Sequence, residues 1–365
     1  MSEEQSTANW FSKPGDSIRG IMQRRRVTPQ ELAERLDGGL ERVRGLLDGS
    51  VAVDGVIAET LASVLGASPA FWLKRQENFE AAVNRAVARV IETKDDNLLL
   101  SIPMGGARQR GAMTSARREQ EIRRRLVFFN VPNADLWASR YGSLVSDTDF
   151  RTSNTFHSRE DATLLWLRRG ELEADMVSTK NWHPENLRDR LDTIRRLSKV
   201  RHPESFVPKL RALCAEAGVA LVVVKAPEGC TASGAARMVD TDKAMLLLSF
   251  RYRSDDQFWF TVFHEIGHLL LHKAHTFVDT ENMMVDEKER EANQFAENCI
   301  VPEVRQSEFE SIERDKDSVL RFSVSVGVAP GLVVGQMQHR DMIPRERLNY
   351  LKRRWTWQQI NPAIV

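Results

Sequence analysis

The chain has 365 residues, of which 42% are hydrophobic and 28% charged, and a formal net charge of +1. That length exceeds one small core and implies two or three domains, and the apolar share excludes wholesale disorder. The near-neutral balance excludes the global field of a nucleic-acid or membrane-surface protein, so any such role must rest on a local patch. Cys214, Cys230 and Cys299 are scattered and odd in number, which argues for a reducing compartment and against a disulfide framework. The polar start MSEEQSTANWFSKPGDS does not read as a signal peptide, and no run approaches the roughly 18 apolar residues of a membrane span. The expectation is a cytoplasmic protein with no membrane partner.

From Pro14 the chain reads as a string of short helices. In VTPQELAERLDGGLERVRGLLDGS, Thr28 can cap a helix, with Pro29 at its first position and Glu31 at its third, forming a capping box. Leu32, Ala33 and Leu36 share one face, Gly38-Gly39 breaks the helix, and a second runs from Leu40 to near Leu47. Two helices joined by a glycine turn predict a helix-turn-helix. Asp54 can cap a further helix through Leu65, and Ser68-Pro69 opens another. The middle of the chain is less legible: SIPMGGARQRG reads as a linker, TSARREQEIRRRLVFFNVP as a helix ending near Pro132, and two more amphipathic helices follow. Arg108 to Arg125 holds seven arginines against two glutamates, read as a solvated helix face, with a phosphate-binding patch as the alternative. Beyond residue 203, ESFVPKLRALCAEAG predicts a helix and VALVVVK a buried strand. A loop containing Gly229 and Gly234 leads to a second strand, AMLLLSF, and then to a long apolar helix, FWFTVFHEIGHLLLH. DEKEREANQFAENCI predicts one more helix, stopped at Pro302. Strands followed by helices indicate an α+β domain.

His264-Glu265-Ile266-Gly267-His268 is H-E-x-x-H. Residues four apart on a helix lie on one face, so both imidazoles can reach one ion at about 2.0–2.1 Å, with Glu265 beside it as a general base. A catalytic zinc needs a third ligand and an open position. Leu271 and Ala274 stand where a metzincin would have glycine and histidine, which excludes that class. The following helix offers Glu287, Glu289 and Glu291; Glu289 borders its apolar face of Ala292, Phe295, Ala296 and Cys299 and is favoured, with Glu291 next. His272, one turn after His268, reads as a helix-end histidine at the negative pole of the dipole, the alternative being a supporting role in the site.

These stretches resemble the ImmA/IrrE-type zinc metallopeptidases. FWFTVFHEIGHLLLH, EREANQFAENCIVP, CAEAGVALVVV and VSVGVAPGLVVGQMQHRDMIP carry the likeness. At the front, PGDSIRGIMQRRRVTPQELAERL and SPAFWLKRQENFEAA resemble the XRE/HigA antitoxin type of DNA-binding domain. The resemblance implies a multi-domain, mainly α chain: an all-α helix-turn-helix domain at 14–95, a helical middle region at 96–203, and a zincin-like α+β metallopeptidase domain at 204–355 with a small C-terminal helical element. It implies His264, His268 and Glu289 as ligands of Zn2+ (Mn2+ being possible), Glu265 as catalytic acid/base, and a specific repressor, or the chain itself, as substrate in a stress-type response. Arg42 and Arg44 are the candidate DNA contacts, and a homodimer is expected. Glu41 departs from the DNA-reading pattern because it repels phosphate, and residues 1–90 carry no basic excess. The alternatives are a helical module for protein contacts, and a regulator whose metal site is structural or sensory.

Overall fold

Proline, glycine and short polar side chains punctuate the N-terminal helices. The computed structural model describes residues 12–93, 96–101, 104, 113–141, 158–272, 277–278 and 287–364. The chain divides into two compact units, Met1–Arg168 and Arg169–Val365. Among the described residues no single helix is long and apolar enough to cross a membrane.

The first unit contains α1 (Pro14–Arg25), α2 (Pro29–Ala33), α3 (Gly39–Asp48), α4 (Gly55–Leu65), α5 (Pro69–Thr93), α6 (Asp96–Ser101), α7 (Ser115–Phe129) and α8 (Ala134–Tyr141). The expected capping box forms at α2: Glu31 N donates to Thr28 Oγ1 (3.2 Å) and Thr28 N to Glu31 Oε2 (2.6 Å). Gly38 and Gly39 make the turn to α3 with φ of 93° and 57°, a region that disfavours side chains. Asp54 caps α4 through Ile57 N, as predicted. Ile18, Leu32, Val43, Leu46, Leu61 and Trp72 form the core of this helical cluster. The expected linker at 101–111 lies, apart from Ser101 and Met104, outside the described residues. Arg108 and Arg110 fall there too. The remaining arginines of that run lie on α7, where Arg118 bonds Asn97, Arg123 bonds Asn84 and Arg125 bonds Glu121.

In the second unit, which takes in the end of α9 (Ser158–Ala174), come α10 (Pro184–Arg188), α11 (Leu191–Leu197), α12 (Pro203–Glu216), β1 (Val219–Val223), β2 (Gly234–Asp240), β3 (Lys243–Leu248), α13 (Asp255–Leu271), β4 (Phe277–Val278), α14 (Glu287–Ile300), α15 (Gln306–Glu310), α16 (Lys316–Val326), α17 (Pro330–His339) and α18 (Trp357–Ile360). It is longer than the 204–355 span read from sequence. Residues before 204 are tied in by Lys180 N to Ala215 O, Trp182 N to Asp242 O, and Ala329 N to Ser198 Oγ.

The sheet runs β1-β3-β2-β4, with β1 parallel to β3 and β2 antiparallel to both β3 and β4. Alternation assigns its faces. Val219, Leu221, Val223, Ala244, Leu246 and Leu248 join the main core with α12 and α13, while Leu247, of opposite parity, meets Gly170 of α9. Cover on both faces explains why β1 and β3 read as continuous apolar runs. The sequence reading placed Gly234 in a loop, whereas it begins β2. That strand, GAARMVD, lacks a β-branched run and is held by pairing on both edges, so tertiary context overrides its local propensity.

The start of α13 is buried. Asp255 Oδ1 accepts from Arg353 N (3.0 Å), and Lys352 pairs with Asp256 (2.6 Å). Gly331 and Gly335 let α17 approach these acids: a Cβ at 331 would stand 2.3 Å from Asp255 Oδ1. Burial, reinforced by the charge of Asp256, raises the Asp255 carboxyl from 3.8 to about 7. A carboxyl raised by folding binds its proton more tightly in the folded state. Its contribution is therefore complete below the unfolded value and is lost as pH rises through about 7. In urea unfolding at pH 5 and pH 8, wild type is expected to lose on the order of 2 kcal/mol more than Asp255→Asn across that interval. Equal pH dependence in the two proteins would contradict the burial account.

Candidate metal centre

The H-E-x-x-H segment folds as helix because α13 has no breaker beyond Gly267, carries Asp255 and Asp256 at its favourable N-terminal end, and buries nearly every face. Gly267 has a packing role. A Cβ there would lie 3.2 Å from Phe295 and 3.3 Å from the backbone of Ala292, so its absence lets α14 come close. Ala292 and Ala296, both fully buried, complete this small-residue contact. Close approach brings Glu289 and Asn293, one turn apart on α14, to the two histidines.

Three donor groups converge. The Nε2 atoms of His264 and His268 are 3.0 Å apart. Each lies 3.2 Å from an oxygen of Glu289, His264 from Oε2 and His268 from Oε1. All three ligand atoms lie within 4.8 Å of one another. The imidazoles are buried and the Glu289 side chain is 21% exposed. Burial acts to raise the Glu289 carboxyl, but His264 and His268 standing against it outweigh burial and hold it well below the usual carboxylate range. Burial lowers the His268 imidazole below its ordinary value, against the pull of Glu289. Both directions favour the ligand forms, an ionised carboxylate and a neutral imidazole.

The surrounding hydrogen bonds orient these donors. Asn293 Oδ1, an acceptor, lies 2.9 Å from His264 Nδ1, so that nitrogen carries the proton and Nε2 turns a lone pair inward. His268 Nδ1 lies 3.1 Å from His272 Nδ1, and His272 Nε2 lies 2.8 Å from Glu291 Oε2. A proton donated outward along this chain likewise leaves the lone pair of His268 Nε2 facing the cluster. Two imidazole nitrogens and a carboxylate pointing into one space fit a divalent cation, zinc by donor type and manganese as well.

Glu265, fully buried, follows His264 directly. A Cβ on Gly234 would stand 2.6 Å from Glu265 Oε1, so glycine at the head of β2 makes room for that carboxylate. Of the candidates read from sequence, His264, His268 and Glu289 come together, and Glu291 bonds His272 instead. His272 is tied to His268 as well as sitting at the helix end. Arg42 and Arg44 lie apart from this cluster, on α3: Arg42 Nε donates to Asp37 O (3.1 Å) and Arg44 pairs with Glu41. Sequence reasoning gave no role to Asn293, although its position four residues after Glu289 places it on the same face, nor to Gly234, whose partner is distant in the chain.

His272→Ala is expected to weaken zinc binding about 10- to 100-fold, the usual cost of removing a group that orients a metal-bound histidine. Competition with a chromophoric chelator measures this, and an unchanged affinity would show that His272 does not orient His268.

Residues 222–330 match the Peptidase_M78 family, described as the IrrE N-terminal-like domain. The match takes in both α13 and α14 and covers less than a third of the chain, so it supports the peptidase part alone. A search of curated proteins returns no match.

Proposed function

We propose that this chain is a metal-dependent endopeptidase acting in transcriptional regulation, cleaving a repressor protein or itself. The observation that carries the reading is the convergence of His264, His268 and Glu289 with the buried carboxylate of Glu265 next to it on α13. A zinc ion held by the three ligands would supply Lewis acidity toward a peptide carbonyl and toward water. Glu265 takes the proton from the attacking water and delivers it to the departing amine, a role that a buried carboxylate suits. Asn293, His272 and Glu291 keep the imidazoles in the ligating tautomer. A purely structural or sensory metal has no use for Glu265 at this position. In the N-terminal unit, the order of α2, the Gly38-Gly39 turn and α3 supports reading a helix-turn-helix that would bring the activity to DNA. Arg42, held by Asp37 O, and Arg44, paired with Glu41, would each exchange that partner for a phosphate.

The test is incubation of the purified full chain with Zn2+ or Mn2+, alone and with candidate repressor proteins, followed by intact-mass analysis. New termini that appear with metal and vanish with chelator support the reading; intact chains under every condition contradict it.

A further inference from the structure

In the C-terminal unit, the segment before α13 and the segment before α18 lie side by side. Asp255 N donates to Arg353 O (3.0 Å), Trp355 N donates to Arg253 O (2.8 Å), and the backbones of Ser254 and Arg354 pair in antiparallel sense. The result is a short ribbon, anchored from beneath by the buried Trp355, which packs on Phe206, Phe250 and Phe258. Its two stretches, RYR at 251–253 and KRRWTW at 352–357, interleave cations with aromatic rings.

Some of these cations are consumed in holding the fold. Lys352 pairs with Asp256, Arg353 donates to Ser198 O and Val200 O, and Arg251 donates to Thr231 O. Three others are not. Arg253 and Arg354 are exposed on the ribbon, and Lys225, just past β1, is exposed beside it. Lys225 Nζ stands 4.6 Å from the centroid of the Trp357 ring, and the Arg253 guanidinium carbon 6.0 Å from the same centroid. Among the described residues none of the three has an ion-pair partner. The acids at the start of α13 are buried and engaged by Lys352 and the Arg353 backbone.

Like charges gathered without counterions repel one another, and attraction to the indole offsets that cost while leaving the charge unneutralised. The partner such a surface fits is one of dense negative charge. Duplex DNA carries one charge per roughly 1.7 Å of axis. Even an all-acidic extended peptide carries only one per about 3.3–3.6 Å. The planar fork of arginine also matches phosphate oxygens. The rings at this surface serve to aim cations: Trp357 packs against the core and is faced by Lys225 and Arg253, while Tyr252 has Arg251 over it at 5.0 Å. That favours contact with a phosphate backbone over the base stacking that binds single strands.

We infer that Lys225, Arg253 and Arg354 form a docking surface for the phosphate backbone of duplex DNA, without sequence preference. The inference stands apart from the peptidase reading and from the helix-turn-helix of the N-terminal unit.

The test is fluorescence anisotropy of the full chain with a labelled duplex of arbitrary sequence, titrated between about 50 and 200 mM salt. The slope of log affinity against log salt is expected to become shallower by about 0.9 in each of Lys225→Gln, Arg253→Gln and Arg354→Gln, and by about 2.7 in the triple variant. The single variants guard against a folding defect in the triple one. Lys316→Gln, which removes an exposed cation at the start of α16, is expected to leave the slope unchanged. Absence of duplex binding by the wild type, or a slope that the three substitutions move no more than Lys316→Gln does, overturns the surface. A single strand of the same length that binds tighter than the duplex overturns it in favour of base stacking. Poly-glutamate that binds as tightly as the duplex, and through the same three cations, overturns it in favour of an acidic protein.

Discussion

Glu265→Gln is expected to lose peptide hydrolysis and keep its metal. The two side chains are nearly isosteric, so the packing of α13 against Gly234 and Thr261 survives. The proposed ligands His264, His268 and Glu289 are untouched. What disappears is a base able to take a proton from water and hand it on, a contribution worth roughly 10²- to 10⁴-fold in rate. Rate constants for the wild type and the variant on whichever protein the metal-loaded chain cleaves, with zinc content measured in parallel, check the prediction. Equal rates would remove Glu265 from the mechanism. Loss of rate together with loss of zinc would show that the substitution disturbed the ligands instead.

Glu289→Ala carries the second large effect. Among the three proposed ligands Glu289 alone lies on α14, so it would join that helix to α13 through any ion held between them. Removing it deletes one of three ligands, and zinc affinity is expected to fall by more than the roughly 100-fold upper cost of losing an orienting group. Stability follows by linkage: an ion present at about 100 times its Kd stabilises the wild-type fold by roughly 2.7 kcal/mol, a gain that Glu289→Ala forfeits. Thermal unfolding with and without added zinc measures both proteins. Glu291→Ala serves as the comparison, because Glu291 reaches the site only through His272, and its loss weakens binding without abolishing the zinc-dependent shift. If Glu291→Ala proved the more damaging, the assignment of the third ligand would be reversed.

Much of this site was legible because helical spacing is a local rule. His264 and His268, four residues apart, must share a face of any helix that contains them, and Glu289 could be picked from its neighbours by the edge of an apolar stripe. The same rule located the capping box at Thr28 and the glycine turn before α3. Less legible was whatever depends on residues distant in the chain. β2 has little strand character of its own and exists through β3 and β4. Gly234 matters for the side chain it leaves out, thirty residues before the glutamate that occupies the space. Residues 169–203 look like an independent middle segment until their backbone bonds to α12 and the strands are seen. Nothing local to the sequence marks Asp255 and Asp256 as a buried pair, which packing against Gly331 and Gly335 makes them.

X-ray absorption at the zinc edge of the metal-loaded full chain bears most directly on the three-ligand site. One equivalent of zinc surrounded by nitrogen and oxygen alone, with imidazole scattering from two histidines that drops to one in His264→Ala, is the expected spectrum. A sulfur shell near about 2.3 Å, or two-histidine scattering that persists in His264→Ala, would contradict it.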